Sequence, residues 1–360
     1  MLRAWASRPN GHPSAISHPL LFSFASPLSA TASAALPPSS AASSARGHFS
    51  MSRPLRIAVV GDVHDDWDLE QDSRALHFLQ ADLVLFTGDY GNENVELVRS
   101  ISNLKFPKAA ILGNHDCWTT QKFSEKKTDR VHLQLECLGE EHVGYCRLDF
   151  PTLKLCVLGG RPFSCGGNKL FRPRLLSSRY GVNDMEESAK KIYEAAAGTP
   201  EGHCVVMLAH NGPTGLGSNT SDICGRDWIF DGGDHGDPDL AQAISYLQRD
   251  SQIPIPLVVF GHMHKALACG NSLRKMIVVG ADIIYLNAAI VPRVKHKQET
   301  ILGCSTEDKN LFQTPKNRTL RAFTVVEMMD GHVEKIAETW VLVADCKVEI
   351  EQEIVLFQKQ

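Results

Sequence analysis

The sequence predicts an α/β fold in which two sheets stack face to face and helices flank them. Three observations carry this. From Arg56 onward, short apolar runs rich in β-branched residues alternate with stretches whose apolar residues return at helical spacing. Strand–helix–strand repeats of this length build right-handed units around a buried sheet. Further along, four apolar runs follow one another with no helix between them, so the strands fall into an early and a late group.

Taken in order, Ile57–Val60, Leu83–Phe86 and Ala109–Leu112 are predicted strands, with helices over Leu69–Leu79 and Glu93–Ile101 between them. A charged helix is expected over Lys122–Leu138. Gly144–Phe150 and Leu153–Leu158 read as a hairpin turning near Pro151. A helix follows over Asp184–Ala197. Val205–Leu208 and Leu257–Phe260 are continuous apolar runs, as strands buried on both faces are, with a helix over Asp239–Arg249 between them. The late group is Met276–Val279, Ile283–Leu286, Ala322–Met328 and Thr339–Val343. The polar stretch Thr300–Arg318 reads as a surface loop, and the acidic cluster Glu349–Glu353 as a solvated end.

Hydrophobic content of 43% and charged content of 22% are ordinary for a globular chain. No apolar run approaches the ~20 residues a membrane span needs. The ten cysteines show no CxxC pair and no regular spacing. Several, such as Cys156 and Cys204, lie in apolar runs and read as buried thiols in a reducing compartment rather than as a disulfide framework.

The first 51 residues stand apart. No Asp or Glu precedes Asp62; Ser, Ala and Pro dominate, and Arg3, Arg8 and Arg46 are scattered among them. This is the composition of an organelle transit peptide, with residues 52–360 as the single folded domain. The serine load and the lack of an Arg-rich amphipathic helix point to the chloroplast; a mitochondrial address, or a tail without address on a cytoplasmic protein, are the alternatives. Without those three arginines, 34 of the 37 basic residues face 41 acidic ones, a net charge of −7. That balance argues against a broad nucleic-acid-binding surface.

Short polar pieces follow the strands: Asp62-Val63-His64, Gly88-Asp89, Gly113-Asn114-His115-Asp116, Ala209-His210-Asn211 and Gly261-His262-Met263-His264. Taken singly, an Asp after a strand is more often a cap or turn residue, and a lone His a hydrogen-bonded core residue. One shared site explains all of them at once, because open α/β sheets bind ligands at the carboxyl ends of their strands. Residues i and i+2 of an extended chain point to one side, which brings Asp62 and His64 to one ion. Asp89 can bridge two ions with its two oxygens, and Asn114 offers a neutral amide oxygen. His210, His262 and His264 complete seven candidate ligands, with His115 to spare. Mixed carboxylate, amide and imidazole donors suit Mn, Fe or Zn better than Ca or a lone Mg. The absence of cysteine from the set argues against a structural zinc site.

These pieces, in this order from Asp62 to His264, resemble the calcineurin-like metallophosphoesterase superfamily, whose pattern is D-x-H, GD, GNH[D/E], an isolated H, then GHxH. Stretches such as GDVHDDW, LFTGDYGNE and ILGNHDCW are similar to a plant and cyanobacterial branch. The resemblance implies a four-layer αββα sandwich with mixed sheets, holding two divalent metal ions. One ion would be held by Asp62, His64, Asp89 and His264, the other by Asp89, Asn114, His210 and His262. His115 would face the substrate as a general acid oriented by Asp116. The implied activity is hydrolysis of a small phosphomonoester, phosphodiester or nucleotide by a bridging hydroxide. Gly88-Asp89 is followed by Tyr-Gly-Asn-Glu, and His115 by Asp, which departs from the Ser/Thr phosphoprotein phosphatases. A scaffold without catalysis and a nuclease are the rival readings.

Arg161, Arg226 and His235 are the candidate substrate contacts. Arg161 follows a strand end and could clamp a phosphate oxygen, or only stabilise a loop. Arg226 and His235 lie in a Gly- and Asp-rich loop that could be a lid, a substrate wall or a solvated connection. Asp65 and Asp66 read as turn formers rather than extra ligands, and Trp67 and Trp118, beside two of the metal loops, could stack a base or ring, with packing as the default reading.

Overall fold

The short apolar runs form strands because both of their faces are covered. The computed structural model describes residues 53–124, 129–268, 272–297 and 318–360. The leader read as a transit peptide and residues 300–317, read as a surface loop, lie outside them.

The chain opens with β1 (Leu55–Val60), α1 (Leu69–Phe78), β2 (Leu83–Phe86), α2 (Val95–Ser102) and β3 (Lys108–Ala110). Asp68 and Asn94 start the two helices, their side chains accepting from the backbone N–H groups of Gln71 and Leu97. The charged helix is α3 (Arg130–Leu138), capped by Asp129; residues 125–128 lie outside the described set. The hairpin is β4 (Arg147–Phe150) and β5 (Leu155–Gly159), joined by a single 3₁₀ turn at Pro151–Leu153. Then come α4 (Pro173–Tyr180), α5 (Met185–Ala195), β6 (Cys204–Leu208), α6 (Pro238–Asp250) and β7 (Leu257–Phe260). The remaining strands are β8 (Ile277–Val279), β9 (Ile284–Asn287), β10 (Val294–His296), β11 (Thr319–Met329), β12 (His332–Ala344) and β13 (Lys347–Gln358). The helix α4 and the strands β10 and β13 have no counterpart in the sequence reading.

The grouping of strands corrects the expectation of an early and a late sheet. One sheet runs β13-β12-β11-β1-β2-β3, with β10 on β11, so it joins the first strands of the chain to the last. The other runs β4-β5-β6-β7-β9-β8 and comes from the middle. Both are mixed: β1, β2 and β3 are parallel while β11 meets β1 antiparallel, and β5, β6, β7 and β9 are parallel between antiparallel β4 and β8. Ion pairs hold the late strands to the early part. The buried Asp72 of α1 accepts from Arg293 at 2.8 Å and from Arg321 of β11 at 2.5 Å, over sequence separations of 221 and 249 residues. The acidic cluster Glu349–Glu353 is not a free end but part of β13, an edge strand whose exposed charges discourage further pairing.

Alternation along each strand produces the layers. Ile57, Val59, Leu83 and Leu85 point toward Leu155, Val157, Val206, Leu208, Leu257 and Val259, forming an apolar core between the sheets. Their neighbours Ala58, Val60, Val84, Phe86, Cys156, Leu158, Val205, Met207 and Val258 cluster with helix residues such as Leu76, Val98, Leu135, Ile192, Leu240 and Leu247. The result is a four-layer αββα sandwich. Cys156 and Cys204 are buried free thiols. Among the described residues, no helix is long and apolar enough to cross a membrane.

Candidate metal centre

All the motif residues lie just beyond the carboxyl ends of the parallel strands. The sheet containing β1, β2 and β3 supplies Asp62, His64, Asp89, Asn114 and His115; β6 and β7 of the other sheet supply His210, His262 and His264. The site therefore spans the top edges of both sheets.

Local geometry differs from the extended D-x-H imagined for the first motif. His64 has a φ of 42° and Asp65 one of 66°, so the chain turns sharply after Val63. The turn is held by Asp89, whose carbonyl accepts from the N–H groups of Val63 at 3.0 Å and His64 at 2.8 Å. Asp89 at φ 50° and His262 at φ 65° are left-handed too. Four left-handed non-glycine residues in and beside one site, three of them candidate ligands, are a store of strain, which concentrates at functional positions. Two glycines are set by close approach. A Cβ on Gly113 would lie 2.3 Å from an Asp89 carboxylate oxygen and 2.5 Å from the His210 ring, and one on Gly261 would lie 2.1 Å from the Asp62 carboxylate.

Among the described residues, potential ligand atoms gather in three groups, each within 4.8 Å: Asp62, His64 and His264; Asp89, His210 and His262; and His64, Asp89 and His115. Asp89 belongs to two of them, with its oxygens 3.9 Å from His64 Nε2 and 3.4 Å from His210 Nε2. The Asn114 amide oxygen lies 2.9 Å from His210 Nε2. Asp62 and Asp89 are each 1% exposed. His64 Nε2 and His264 Nε2 come within 3.0 Å of each other. Two imidazole nitrogens aimed at one another, two buried carboxylates and a neutral amide oxygen are a donor set that a pair of divalent cations would satisfy, so the residues fit the metals the motif implies.

Supporting bonds orient the rings. His210 Nδ1–H donates to the Thr87 carbonyl at 2.7 Å, leaving Nε2 toward the site. The Thr87 hydroxyl donates to Asp62 at 3.2 Å, and the His262 N–H donates to both Asp62 oxygens at 3.0 Å. Asn287 donates to the Met263 carbonyl at 2.6 Å and so pins the GHMH loop. Thr87 and Asn287 were invisible to motif reading, because each acts through a backbone group or a distant loop.

Charge follows this packing. Burial disfavours an imidazolium at His210, but the adjacent Asp89 carboxylate overrides it and pushes that ring up to about 10. Burial opposes the charge on His264 as well, yet its hydrogen bond to Asp62 leaves it raised. Burial and the charge of His210 hold His262 down at about 3. Despite burial, the histidines around Asp62 and Asp89 hold both carboxyls below their ordinary value.

The expected roles of Asp116 and Arg161 are corrected. Asp116 does not reach the His115 ring. Its fully buried carboxylate accepts from the backbone N–H groups of Asp89 at 2.9 Å, Tyr90 at 3.0 Å and Gly113 at 2.7 Å, tying two site loops together. His115 Nδ1–H instead donates to the Asn92 amide oxygen at 2.7 Å. Asn92 went unnoticed, although its place three residues after Asp89 in a strand-end loop was a usable signal. Arg161 is 1% exposed and is bound by Asp237 and Asp239, each at 2.8 Å. It is an interior ion pair, so its guanidinium is not available to clamp a phosphate.

His235 does sit beside the centre. Its ring lies 6.0 Å from that of His262 at 26°, and its Nε2–H donates to the Cys165 carbonyl at 2.8 Å. Arg226 lies against Gly233 of the same loop and touches none of the candidate ligands. The loop is a built wall: Asp234 binds Thr214, Gly215 and Gly236, and Arg274 binds the carbonyls of Asp222 and Gly225. Trp67 packs on Phe86 with its N–H on Ser100, whereas Trp118 is 46% exposed. A cavity of about 500 Å³ opens beside Asn92, lined also by Asp65, Asn94, Arg99 and Arg130.

Comparison with known proteins adds to this picture. Solved structures that resemble the chain include a dimetal phosphatase from Danio rerio, with 9% identity, coverage of 85% of this chain and 100% of that one, and a TM-score of 0.44. Another is GAP50, the anchor in the inner membrane complex of Plasmodium, with 14% identity, coverage of 86% and 90%, and a TM-score of 0.41. Similarity this low carries no argument about substrate. Among curated proteins no sequence match was found. The model of the calcineurin-like phosphoesterase family, however, matches residues 55–266, more than half of the chain and every candidate ligand. With the strand-end carboxylates and imidazoles in place, the chain belongs to the calcineurin-like phosphoesterase family and is a metal-dependent hydrolase of phosphate esters.

Proposed function

We propose that the enzyme cleaves a small phosphomonoester, phosphodiester or nucleotide, with His115 as the proton donor to the leaving oxygen. One observation supports this above the others. The His115 ring is held through Nδ1 by Asn92 and stands edge-on to His64 at 5.0 Å, so its Nε2 is the nitrogen left for substrate. Asn92 oxygen can only accept, which assigns the Nδ1 proton. A proton on Nε2 as well makes His115 an imidazolium, the form that can act as a general acid.

Ions held by Asp62, His64, Asp89 and His264, and by Asp89, Asn114, His210 and His262, would lower the pKa of a water and withdraw charge from phosphoryl oxygens. Mn, Fe or Zn suits these donors. The protein's own part is positional. Asp89 joins the two halves of the site, Thr87 fixes the His210 tautomer, and the His262 N–H and the Thr87 hydroxyl hold the Asp62 carboxylate. The wall containing His235 closes one side of the centre.

The test is turnover of aryl phosphomonoesters and phosphodiesters by the full chain supplied with Mn²⁺, Fe²⁺ or Zn²⁺, with bound metal quantified in parallel. His115→Ala should lower kcat by about 10²–10⁴-fold while metal stays bound. Equal turnover by wild type and His115→Ala would remove the proton donor from the mechanism. A well-folded chain that binds no metal would remove the mechanism altogether.

A further inference from the structure

His115 carries a second ring on its face. Trp118 lies parallel to it, with centroids 4.7 Å and planes 8° apart, yet stays 46% exposed. A tryptophan packed into the core hides its ring, as Trp340 does. Trp118 is held in place through its backbone instead. Arg172 donates from Nε to the Cys117 carbonyl at 2.9 Å and from Nη2 to the Trp118 carbonyl. The same guanidinium sits 4.3 Å over the Phe171 ring, which lies 6.2 Å from Trp118 at a tilt of 36°. Together they make an aromatic shelf, exposed at Trp118 and anchored on the half-buried Phe171, one ring away from the group that would protonate the leaving oxygen.

We propose that the shelf of Trp118, Phe171 and Arg172 is a subsite for a planar heteroaromatic ring carried on the leaving group, and that the substrate is a nucleoside phosphoester. This rests on the hydrolase reading and on His115 facing the leaving oxygen. The face of His115 toward Trp118 is filled, so an incoming ring stacks on Trp118, one layer further out. A ring bonded directly to the leaving oxygen cannot lie at His115 Nε2 and beyond Trp118 together. A ring set back by a sugar can. Simple sugar and glycerol phosphates leave the shelf empty. Stacking on an exposed aromatic face beside a guanidinium favours any nucleobase, because every base offers a π-face.

Binding of adenosine 5′-monophosphate and of ribose 5-phosphate to the Mn²⁺-loaded full chain tests this by calorimetry, without need of turnover. The wild type should bind the nucleotide about ten-fold more tightly than the sugar phosphate. Trp118→Leu should abolish that ratio, and Trp118→Phe, which keeps a stacking face, should retain most of it. Equal affinities in the wild type would overturn the proposal. So would a Trp118→Leu protein that loses affinity for both ligands equally, since Trp118 would then serve only to support His115. If Trp118→Leu does not fold, the wild-type ratio and the Trp118→Phe variant still decide. Failure to hydrolyse any phosphate ester would count against the hydrolase reading, and the binding ratio would remain measurable.

Discussion

Asp116 offers the sharpest separation of a structural from a catalytic role. Its carboxylate is fully buried and accepts from three backbone N–H groups, those of Asp89, Tyr90 and Gly113. Asp116→Ala leaves all three donors without an acceptor. At about 1–2 kcal/mol for each stranded donor, the loss is about 3–6 kcal/mol. Burial and the charge of Asp89 both push the Asp116 carboxyl upward, so relief of that repulsion offsets part of the loss. At about 2 °C per kcal/mol for a domain this large, Tm should fall by about 6–12 °C in metal-free buffer. Asn92→Ala is the contrast. Among the described residues the Asn92 side chain bonds only the His115 ring, so Tm should move by less than about 2 °C while turnover drops. Scanning calorimetry of both variants, beside their kcat, gives the answer. Asp116→Ala with an unchanged Tm and a loss of kcat like that of His115→Ala would refute the structural assignment and restore Asp116 as the residue that orients the acid.

Asp89→Ala removes the carboxylate shared by both ligand groups, so bound metal should fall from about two ions to one or fewer, read by elemental analysis, and turnover should be lost; undiminished metal content would show that Asp89 is not shared. Arg161→Met strands Asp237 and Asp239 in the interior and should cost about 3–5 kcal/mol in denaturant unfolding, with KM unchanged; a raised KM at unchanged stability would return Arg161 to the substrate. In the metal-free chain His210, pushed up to about 10, carries a proton at neutral pH that a metal must displace, and His264 is shifted in the same direction by its bond to Asp62. Metal uptake near pH 7 should therefore release protons, measured in buffers of different ionisation enthalpy, and affinity should strengthen as pH rises; uptake without release would contradict this charge state. The same His210 stabilises the metal-free fold fully below about 6.5, and that contribution should fade as pH climbs through about 10.

Much of the fold was legible in the chain because it depends on local pattern. The runs at Ile57, Leu83, Val205 and Leu257 are short, apolar and β-branched, which marks strands covered on both faces, and helical spacing marked α1, α2, α5 and α6. The helix α4 escaped because it is short and rich in Arg and Ser, and β10 because three residues carry no periodicity. Sheet membership escaped for a different reason. Whether β11 pairs with β1 or with β9 depends on contacts such as Asp72 with Arg293 and Arg321, between groups more than 200 residues apart.

The site divides along the same line. Residue type and order were enough to nominate Asp62, His64, Asp89, Asn114, His210, His262 and His264 as candidate ligands, because a metal centre calls for hard oxygen and imidazole donors at strand ends, and the fold brings these residues together. Folding alone settled the second layer, where identity is a weak guide to role. Asp116 stands next to His115 in sequence but turns inward to backbone amides, while Asn92, 23 residues away, reaches the ring. Arg161 follows a strand end like the ligands, yet two aspartates of a later segment draw it into the interior. A side chain's partner is chosen by direction and burial, and those exist only once distant segments have packed together.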